Sequence, residues 1–196
     1  PNQPLLFIID EVIYNNIFYP HENLIDVGQA YSRGVEVMAQ KKLVENFYGA
    51  ISLSYFEARY KDLEGNWRPR SVENKFVFNI NGGYKPNNKW DLSIDFLYAG
   101  GRPYTPFDIE KSENLNRPVI DDQKVNCKRY PVYHALDIRL DKRMNFVNSS
   151  LIFYLSVWNA YNHNNVAEYF WNQKQNQKDT EYQWSITPIL GIEYEF

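Results

Sequence analysis

The sequence is poor in several features, and each absence excludes a class of protein. Its 196 residues contain one cysteine, Cys127, which excludes an internal disulfide and argues against a cysteine-based metal site. No apolar run approaches the roughly 18 residues that a membrane-spanning helix needs, and the run at residues 5–9 ends at Asp10. The net charge of -3 gives no sign of the basic patch expected of a nucleic-acid-binding protein. If this chain meets a membrane, it does so with strands.

Aromatic residues are abundant, although the chain is hydrophilic overall. They make up 17% of the sequence, whereas the mean hydropathy is -0.57. This combination is typical of strands in which apolar and polar side chains alternate. In the segment 186–196, Leu190, Ile192, Tyr194 and Phe196 fall on one face of a strand, and the glutamates between them fall on the other. Such a strand suits the core of a sandwich, or a wall between lipid and water.

The same alternation predicts an all-β, antiparallel fold along the whole chain, with about eight strands. The predicted strands cover residues 5–19, 31–42, 47–60, 75–84, 90–98, 134–143, 151–161 and 186–196. The first alternates imperfectly. The facing of 151–161 is open, because apolar side chains occur at both odd and even positions there. No composition shift divides the chain, so residues 1–196 are treated as a single segment.

The predicted connections alternate between short and long. Short turns are predicted near residues 43–46, 85–89 and 144–149, and longer loops at 20–29, 61–74, 100–133 and 162–184. Short turns at one end and long loops at the other are typical of antiparallel transmembrane barrel strands, with periplasmic turns and extracellular loops. A soluble sandwich has no reason to segregate its loops in this way.

Aromatic side chains cluster near both predicted strand ends, as in the two interfacial girdles of a membrane barrel. At the short-turn ends these are Phe47, Tyr84, Trp90, Tyr194 and Phe196; at the long-loop ends they are Tyr31, Tyr98, Tyr161 and Trp184. The alternative is a soluble sheet with ordinary core aromatics.

No motif points to catalysis. The three histidines, His21, His134 and His163, are far apart in sequence, and each lies in or beside a predicted loop. Acidic pairs such as Asp121 and Asp122 lack the spacing of an EF-hand, and no nucleophile elbow occurs. We therefore expect no enzyme activity, no metal site and no cofactor.

Several segments together resemble the C-terminal barrel portion of TonB-dependent outer-membrane receptors. They span roughly residues 31–196 and comprise Tyr31-Ser-Arg-Gly-Val-Glu-Val37, Gly100-Gly-Arg-Pro-Tyr-Thr-Pro106, Leu136-Asp-Ile-Arg-Leu-Asp-Lys142, Asn159-Ala-Tyr-Asn162 with Asn165-Val166, and the terminal strand. Two departures are Ala135, where many relatives carry Arg, and the first thirty residues, which match poorly.

The resemblance implies a barrel of about 22 strands, plugged by an N-terminal domain, in the outer membrane of a Gram-negative bacterium. It implies import of a nutrient (a glycan, a peptide or a metal chelate) energised indirectly through the TonB system. Phe196, with Tyr194, would be the signal read by the barrel-assembly machinery. The partners would be outer-membrane lipid and the rest of the barrel and plug, with no nucleic acid.

On this reading the sequence covers only the last part of such a barrel. The opening residues, Pro1-Asn-Gln-Pro4, do not resemble a signal peptide, so we expect either a mature N-terminus or the tail of something longer. Eight strands cut from a larger wall would leave two unpaired edges, which lipid does not tolerate.

In this family, extracellular loops and the plug grip the cargo. The resemblance therefore implies loop residues that contact substrate: Trp67, Arg68, Arg102, Tyr104 and Trp171. The rim motif of Gly100, Gly101, Pro103 and Pro106 has two interpretations, a stiff exit from the barrel rim or direct substrate contact. Lumen-facing charges are expected to bond neighbours in the wall or plug; these are Glu36, Asp91, Asp95, Asp137 and Arg139.

Two other hypotheses remain at this point. In the second hypothesis the chain closes by itself into an eight-stranded outer-membrane barrel acting as an anchor or adhesin, since its predicted strand count is even. Alternatively, it is a soluble all-β binding module, which requires its apolar faces to meet each other. A plug encoded upstream separates the first hypothesis from the second, and detergent dependence separates both from the third.

Overall fold

The chain forms an antiparallel all-β fold, as predicted. The computed structural model describes residues 28–62 and 64–196, together with the backbone of two short strands before them. The strands are β1 (Leu6–Ile8), β2 (Leu24–Asp26), β3 (Gln29–Val44), β4 (Phe47–Lys61), β5 (Trp67–Pro69), β6 (Phe76–Asn87), β7 (Trp90–Ala99), β8 (Pro103–Tyr104), β9 (Lys128–Arg129), β10 (Tyr133–Asn145), β11 (Ser150–Trp158), β12 (Val166–Asn172), β13 (Gln177–Tyr182) and β14 (Thr187–Glu195). One α-helix, α1 (Ile109–Leu115), and a short 3-10 helix at Asp122–Lys124 lie between β8 and β9.

One sheet contains all the long strands. Its order is β14-β11-β10-β7-β6-β4-β3, and the short strand β5 also pairs with β4. These long strands correspond to the predicted strands from residue 31 onward. The predicted strand at 5–19 lies outside the described residues, apart from β1, which pairs with β2. Among the described residues, neither β3 nor β14 has a partner on its outer edge.

The register places one kind of side chain on each face of the sheet. A row of directly paired residues on what we call the apolar face runs across seven strands: Val44, Phe47, Tyr84, Leu92, Leu140, Leu155 and Leu190. A row on the opposite side, the polar face, contains Gln40, Ala50, Asn81, Asp95 and Asp137. Because pairing fixes facing, β11 is settled: Leu151, Phe153 and Leu155 share the apolar face, and Ile152 and Tyr154 the polar face.

The apolar face is not covered by protein within the described residues. Val35 is 69% exposed and Leu190 is 81% exposed. Buried apolar residues are few and mostly small: Ala50, Ala58, Ala99, Ala135, Ile152 and Trp171. The main contacts between elements run along the sheet, with α1 packed on β13. The sheet therefore builds no conventional core between two layers.

The two ends of the sheet differ, as the sequence predicted. At the short-turn end, β3–β4, β6–β7 and β10–β11 are joined across residues 45–46, 88–89 and 146–149. At the long-loop end, the connections cover 62–75, 100–132 and 159–186. No helix of the described residues has the length and apolar character needed to cross a bilayer.

The long loops contain more regular structure than their sequences suggest. Asp108 caps α1 by accepting a 3.1 Å hydrogen bond from the backbone N–H of Lys111. The loop at 159–186 contains the β12–β13 hairpin, whose turn places Asn176 at φ 50°. The hairpin is hard to predict because β13, Gln-Lys-Asp-Thr-Glu-Tyr, carries almost no apolar side chains.

Candidate functional site

The three long loops interlock into one layer, which we call the loop assembly (residues 62–75, 100–132 and 159–186). The side-chain amide of Asn126 donates to the carbonyl of Pro69 at 2.9 Å, and its backbone N–H donates to the Thr105 hydroxyl at 3.0 Å. Arg68 donates to the carbonyl of Gln123 at 3.2 Å. Side chains of one segment therefore bind the backbone of another, and these contacts hold the loops together.

A buried ion pair anchors this layer to the sheet. Glu73 is fully buried, accepts a 2.9 Å hydrogen bond from the backbone N–H of Ala58 in β4, and pairs with the guanidinium of Arg129. Arg129 also donates to the carbonyls of Glu73 and Gly101, at 2.7 and 3.0 Å. A buried carboxylate is tolerated only when its charge and lone pairs are satisfied, so this pair ties two loops and one strand together.

The rim motif lies where two chain segments cross closely. A Cβ built on Gly100 would lie 2.1 Å from the carbonyl oxygen of Asn74, and one on Gly101 would lie 1.7 Å from that of Tyr130. No larger residue fits at either position without moving backbone. Pro103 is buried in β8, and the carbonyl of Pro106 accepts a 3.0 Å hydrogen bond from the backbone N–H of Asp121. These contacts support the packing interpretation of the motif.

The asparagine-rich segment after β11 forms the base of the hairpin. Asn159 and Asn162 have φ of 49° and 56°, a region that asparagine tolerates better than most residues. The buried Asn165 side chain accepts from the backbone N–H of His134 at 3.0 Å and donates to its carbonyl at 2.9 Å. Asn162 accepts a 3.0 Å hydrogen bond from the N–H of Ile186. The asparagines thus fix the start of β14 and the hairpin against β10.

Three tyrosines from two loops form a cluster beside the rim. The rings of Tyr104 and Tyr130 lie 4.5 Å apart between centroids, and each lies 5.0 Å from Tyr169 of the hairpin. The Lys178 ammonium lies 3.5 Å from the Tyr169 ring centroid, within cation–π range. Burial lowers the pKa of Lys178 and, together with the neighbouring tyrosines, raises that of Tyr104.

A second aromatic contact joins the hairpin to the loop that carries α1. Trp171 is 6% exposed, and its ring lies edge-on to Phe107 at 6.0 Å between centroids. Asn176 donates to the carbonyl of Glu113 in α1 at 2.9 Å. Both contacts lie near the turn of the hairpin, so this end is held against the loop that carries α1.

Two adjoining clefts open between the hairpin and the polar face. One has a volume of about 630 Å³ and is lined by Gly101, Arg102, Tyr130 and Glu168, among others. The other has a volume of about 470 Å³, and its lining includes Asp137, Trp158 and Trp184. Both clefts are bounded by Tyr133, Ala167, Glu181 and Gln183. Together they offer aromatic faces, carboxylates and a guanidinium to a polar ligand.

The five loop residues predicted to contact substrate do not form one group. Arg102 lines the larger cleft and donates to the carbonyl of Ala167 at 2.8 Å. Tyr104 belongs to the tyrosine cluster and Trp171 is buried nearby, so these three surround the hairpin. Trp67 and Arg68 lie on β5 instead, and Trp67 packs on Tyr31 at 5.0 Å between centroids.

Arg68 is occupied by a carboxylate of its own loop. Its Nε donates to Asp62 at 2.5 Å, and the backbone N–H of Asn66 donates to the same side chain at 2.6 Å. Partial desolvation acts to raise the pKa of Asp62, but the hydrogen bonds from Arg68 and Asn66 outweigh it and hold the pKa below its usual value.

Sequence reasoning missed the residues that assemble this end of the molecule. Glu73 meets Arg129, and Tyr130 meets Tyr169, only through contacts between different loops, and Lys178 meets Tyr169 across the hairpin. No local pattern marks them. The recurrence of tyrosines in both long loops was the available signal, and alone it did not predict the cluster.

The polar face carries a hydrogen-bonded network of charges. Asp91 accepts from the Tyr48 hydroxyl at 3.0 Å and lies 3.1 Å from the Lys85 ammonium. Asp95 accepts from Asn79, and Asp137 accepts from the backbone N–H of Asn159. Arg139 pairs with Asp141 at 2.7 Å. Asp91, Asp95, Asp137 and Arg139 thus bond neighbouring residues of this chain, and the expectation that they bond wall or plug neighbours rather than cargo stays a prediction.

Aromatic side chains occupy both ends of the apolar face. At the short-turn end, Phe47 contacts Tyr84 at 4.6 Å between centroids, and Tyr194 stacks with the fully exposed Phe196 at 6.1 Å. At the long-loop end, His134 lies between Tyr98 and Tyr161. A 2.6 Å hydrogen bond joins its Nδ1 to the Tyr161 hydroxyl. Aliphatic side chains such as Leu140, Leu155 and Leu190 lie between these two ends.

Comparisons with known proteins leave the family unassigned. No family model matches the chain, and no curated protein matches it significantly. The fold and the site described above therefore carry the functional argument.

Proposed function

We propose that this chain forms part of the wall of a TonB-dependent outer-membrane receptor that imports a nutrient into the periplasm. The observation that carries the proposal is the two-faced sheet. An uncovered apolar face spans seven strands, and a hydrogen-bonded polar face lies opposite it. A soluble module would have to cover the apolar face with protein, and within the described residues nothing does so.

In this proposal the apolar face contacts lipid and the polar face lines a wet lumen. The strands between β3 and β14 each pair with a neighbour on both sides, which is the condition for placing backbone in hydrocarbon. The aromatic side chains at both ends of the apolar face suit the two interfaces of a bilayer. The short-turn end is then periplasmic, and it places Phe196 at the periplasmic rim.

The loop assembly is then extracellular and is the part that meets cargo. The clefts beneath the hairpin present Arg102, Glu168, Glu181, Trp158 and Trp184, a surface suited to a polar ligand with apolar parts. This favours a glycan, a peptide or a metal chelate as the class of nutrient. The segments that resemble TonB-dependent receptors lie in β3, β10 and β14 and in the loops at 100–106 and 159–166, and this resemblance is why we favour that family.

The proposal also includes further strands beyond those of the sheet. Unpaired edges are costly in lipid, because each unsatisfied backbone group costs several kcal/mol. The outer edges of β3 and β14 have no partner within the described residues. The resemblance implies that the remaining strands of a barrel of about 22, together with a plug, lie elsewhere in the same receptor.

Mass analysis of the native protein extracted from outer membranes tests this proposal. We expect a polypeptide in which a plug and the further strands are joined to this sequence. A mature chain starting at Pro1 that is heat-modifiable in detergent by itself would instead indicate a self-contained eight-stranded barrel. Recovery in the soluble fraction without detergent would contradict both membrane hypotheses.

A further inference from the structure

A groove crosses the apolar face near the short-turn end. Its floor is formed by Gly49 of β4 and Gly82 of β6, which are directly paired and carry no side chains. Larger apolar side chains rise on both sides of this floor: Phe47, Ile51, Ile80, Tyr84, Leu92 and Ile94. The groove has a volume of about 640 Å³ and is lined almost wholly by apolar atoms.

The shape of this groove comes from the sequence. Gly49 lies between Phe47 and Ile51 on the same face of β4, and Gly82 lies between Ile80 and Tyr84 on β6. A Cβ on Gly49 would approach the carbonyl oxygen of Asn81 to 2.8 Å, so the two strands need glycine here. The paired glycines leave a trough one side chain deep in an otherwise continuous apolar surface.

A positive charge lies at one wall of the groove. Lys41 is directly opposite Gly49 in the β3–β4 register and lines the groove. Among the described residues, no carboxylate lies within ion-pair distance of its ammonium. On the same face and at the same end, Lys142 is directly opposite Trp90 and lies 5.2 Å from the centre of its ring. Of these two lysines only Lys41 lines the groove, and its ammonium favours an anionic headgroup there.

We propose that the groove binds one acyl chain of an anionic phospholipid and that Lys41 binds the phosphate of that lipid. The inference rests on the proposed function, because it places this face in the bilayer and the short-turn end in the periplasmic leaflet. A long side chain such as lysine extends from an apolar surface to reach a headgroup. The groove then selects a bound lipid by shape and Lys41 selects it by charge.

The experiment uses the native receptor, purified in detergent and incubated with phosphatidylglycerol or with phosphatidylcholine. Native mass spectrometry counts the lipids retained. Ala39→Trp places an indole in the groove from β3, and Val35→Trp is its control on the same strand and face, outside the groove lining. Lys41→Gln removes the charge, and Lys142→Gln is its control on the same face.

We expect the unmodified protein to retain one phosphatidylglycerol in preference to phosphatidylcholine. Ala39→Trp should reduce retention at least fivefold, and Lys41→Gln about threefold, as expected for one exposed ionic contact. Val35→Trp and Lys142→Gln should retain lipid as the unmodified protein does. Equal retention by Ala39→Trp and Val35→Trp would overturn the proposal, as would a protein dimer that excludes lipid.

Membrane insertion of each variant is measured separately by heat-modifiability. If the unmodified protein and all variants insert but none of them retains lipid, the groove proposal fails and the proposed function stands. If the unmodified protein does not insert into membranes at all, the proposed function fails, and the lipid site fails with it.

Discussion

Leu190 is the residue at which the proposed environment of the sheet has the clearest energetic consequence. It lies in the middle of β14 on the apolar face and is 81% exposed in the structure. In water, replacing such an exposed leucine by arginine changes stability by about 0.5 kcal/mol or less. In the middle of a bilayer, the same replacement costs roughly 2–4 kcal/mol.

We therefore predict that Leu190→Arg destabilises the native protein in phospholipid vesicles by roughly 2–4 kcal/mol. Ile189→Arg is the control, because Ile189 is the adjacent residue on the polar face. Urea titration of folding in vesicles measures both variants. A Leu190→Arg variant as stable as the control would contradict the lipid-facing assignment.

Glu73 is the residue on which the loop assembly depends most. Glu73→Gln leaves the Arg129 guanidinium without its carboxylate in a largely buried site, and breaking such a pair costs roughly 3 kcal/mol. We predict increased hydrogen exchange throughout residues 62–75 and 100–132. Lys124→Gln, which removes an exposed ion pair with Asp121 in the same loop, should leave exchange unchanged outside its own turn. Equal effects of the two substitutions would contradict this role for Glu73.

Asp62 gives the loop assembly a defined dependence on pH. Its pKa is held below the usual value in the folded loop, so its interactions with Arg68 and Asn66 stabilise the loop above the unfolded pKa of about 3.9. This stabilisation is lost as the pH falls through the lower, folded pKa. We predict that amides of β5 exchange equally slowly, after correction for intrinsic rates, from pH 7 to about pH 5 and become exposed in acid. Asp62→Asn should remove this transition.

At the scale of elements, the strands could be predicted and the loop structure could not. Alternation locates β6 and β7 because apolar and polar side chains occupy strict odd and even positions there. In β11 the sequence leaves the facing open, since both faces carry apolar side chains, and pairing with β10 and β14 decides it. The β12–β13 hairpin is stabilised by contacts with another loop, which no local pattern encodes.

The same limit applies to the candidate site. Arg102 and Tyr104 could be selected because they lie in a distinctive rim motif, and both lie beside the hairpin. The resemblance points to Trp67 and Arg68 because they lie in a predicted extracellular loop, but local partners occupy them on β5. Glu73 and Arg129 are far apart in sequence, so only the folded loops bring them together.

The hairpin is an element whose removal should separate binding from assembly. Replacing residues 167–181 by Asn-Gly removes Tyr169, Trp171 and Lys178 and leaves the base at Asn165, which bonds to β10. Loops tolerate changes in length when the scaffold is intact, so we predict normal heat-modifiability. Because the binding layer is removed, we predict at least a tenfold loss of nutrient uptake. Replacement of the two-residue β3–β4 turn at residues 45–46 by Asn-Gly, at the opposite end of the sheet, is the control. Uptake unchanged by the hairpin deletion would contradict a binding role for this layer.

At the scale of the whole molecule, one sheet separates a polar environment from an apolar one. The charged side chains of Asp91, Arg139 and Asp141 need water or polar neighbours. The apolar row across seven strands needs an apolar environment. A membrane wall supplies both. The connections are short at one end of the sheet and long at the other, and Phe196 lies at the short-turn end. Both features agree with the proposed orientation, in which the short-turn end is periplasmic.

The most direct test is a nitroxide scan along β14 of the native protein in phospholipid vesicles, in a Cys127→Ser background. Labels at Leu190→Cys and Ile192→Cys lie on the apolar face, and those at Ile189→Cys and Glu193→Cys lie on the polar face. We predict that the first pair collides preferentially with lipid-soluble oxygen and the second pair with a water-soluble nickel complex, in strict alternation. Equal access of the nickel complex to all four positions would contradict the account, because it would place both faces of the sheet in water.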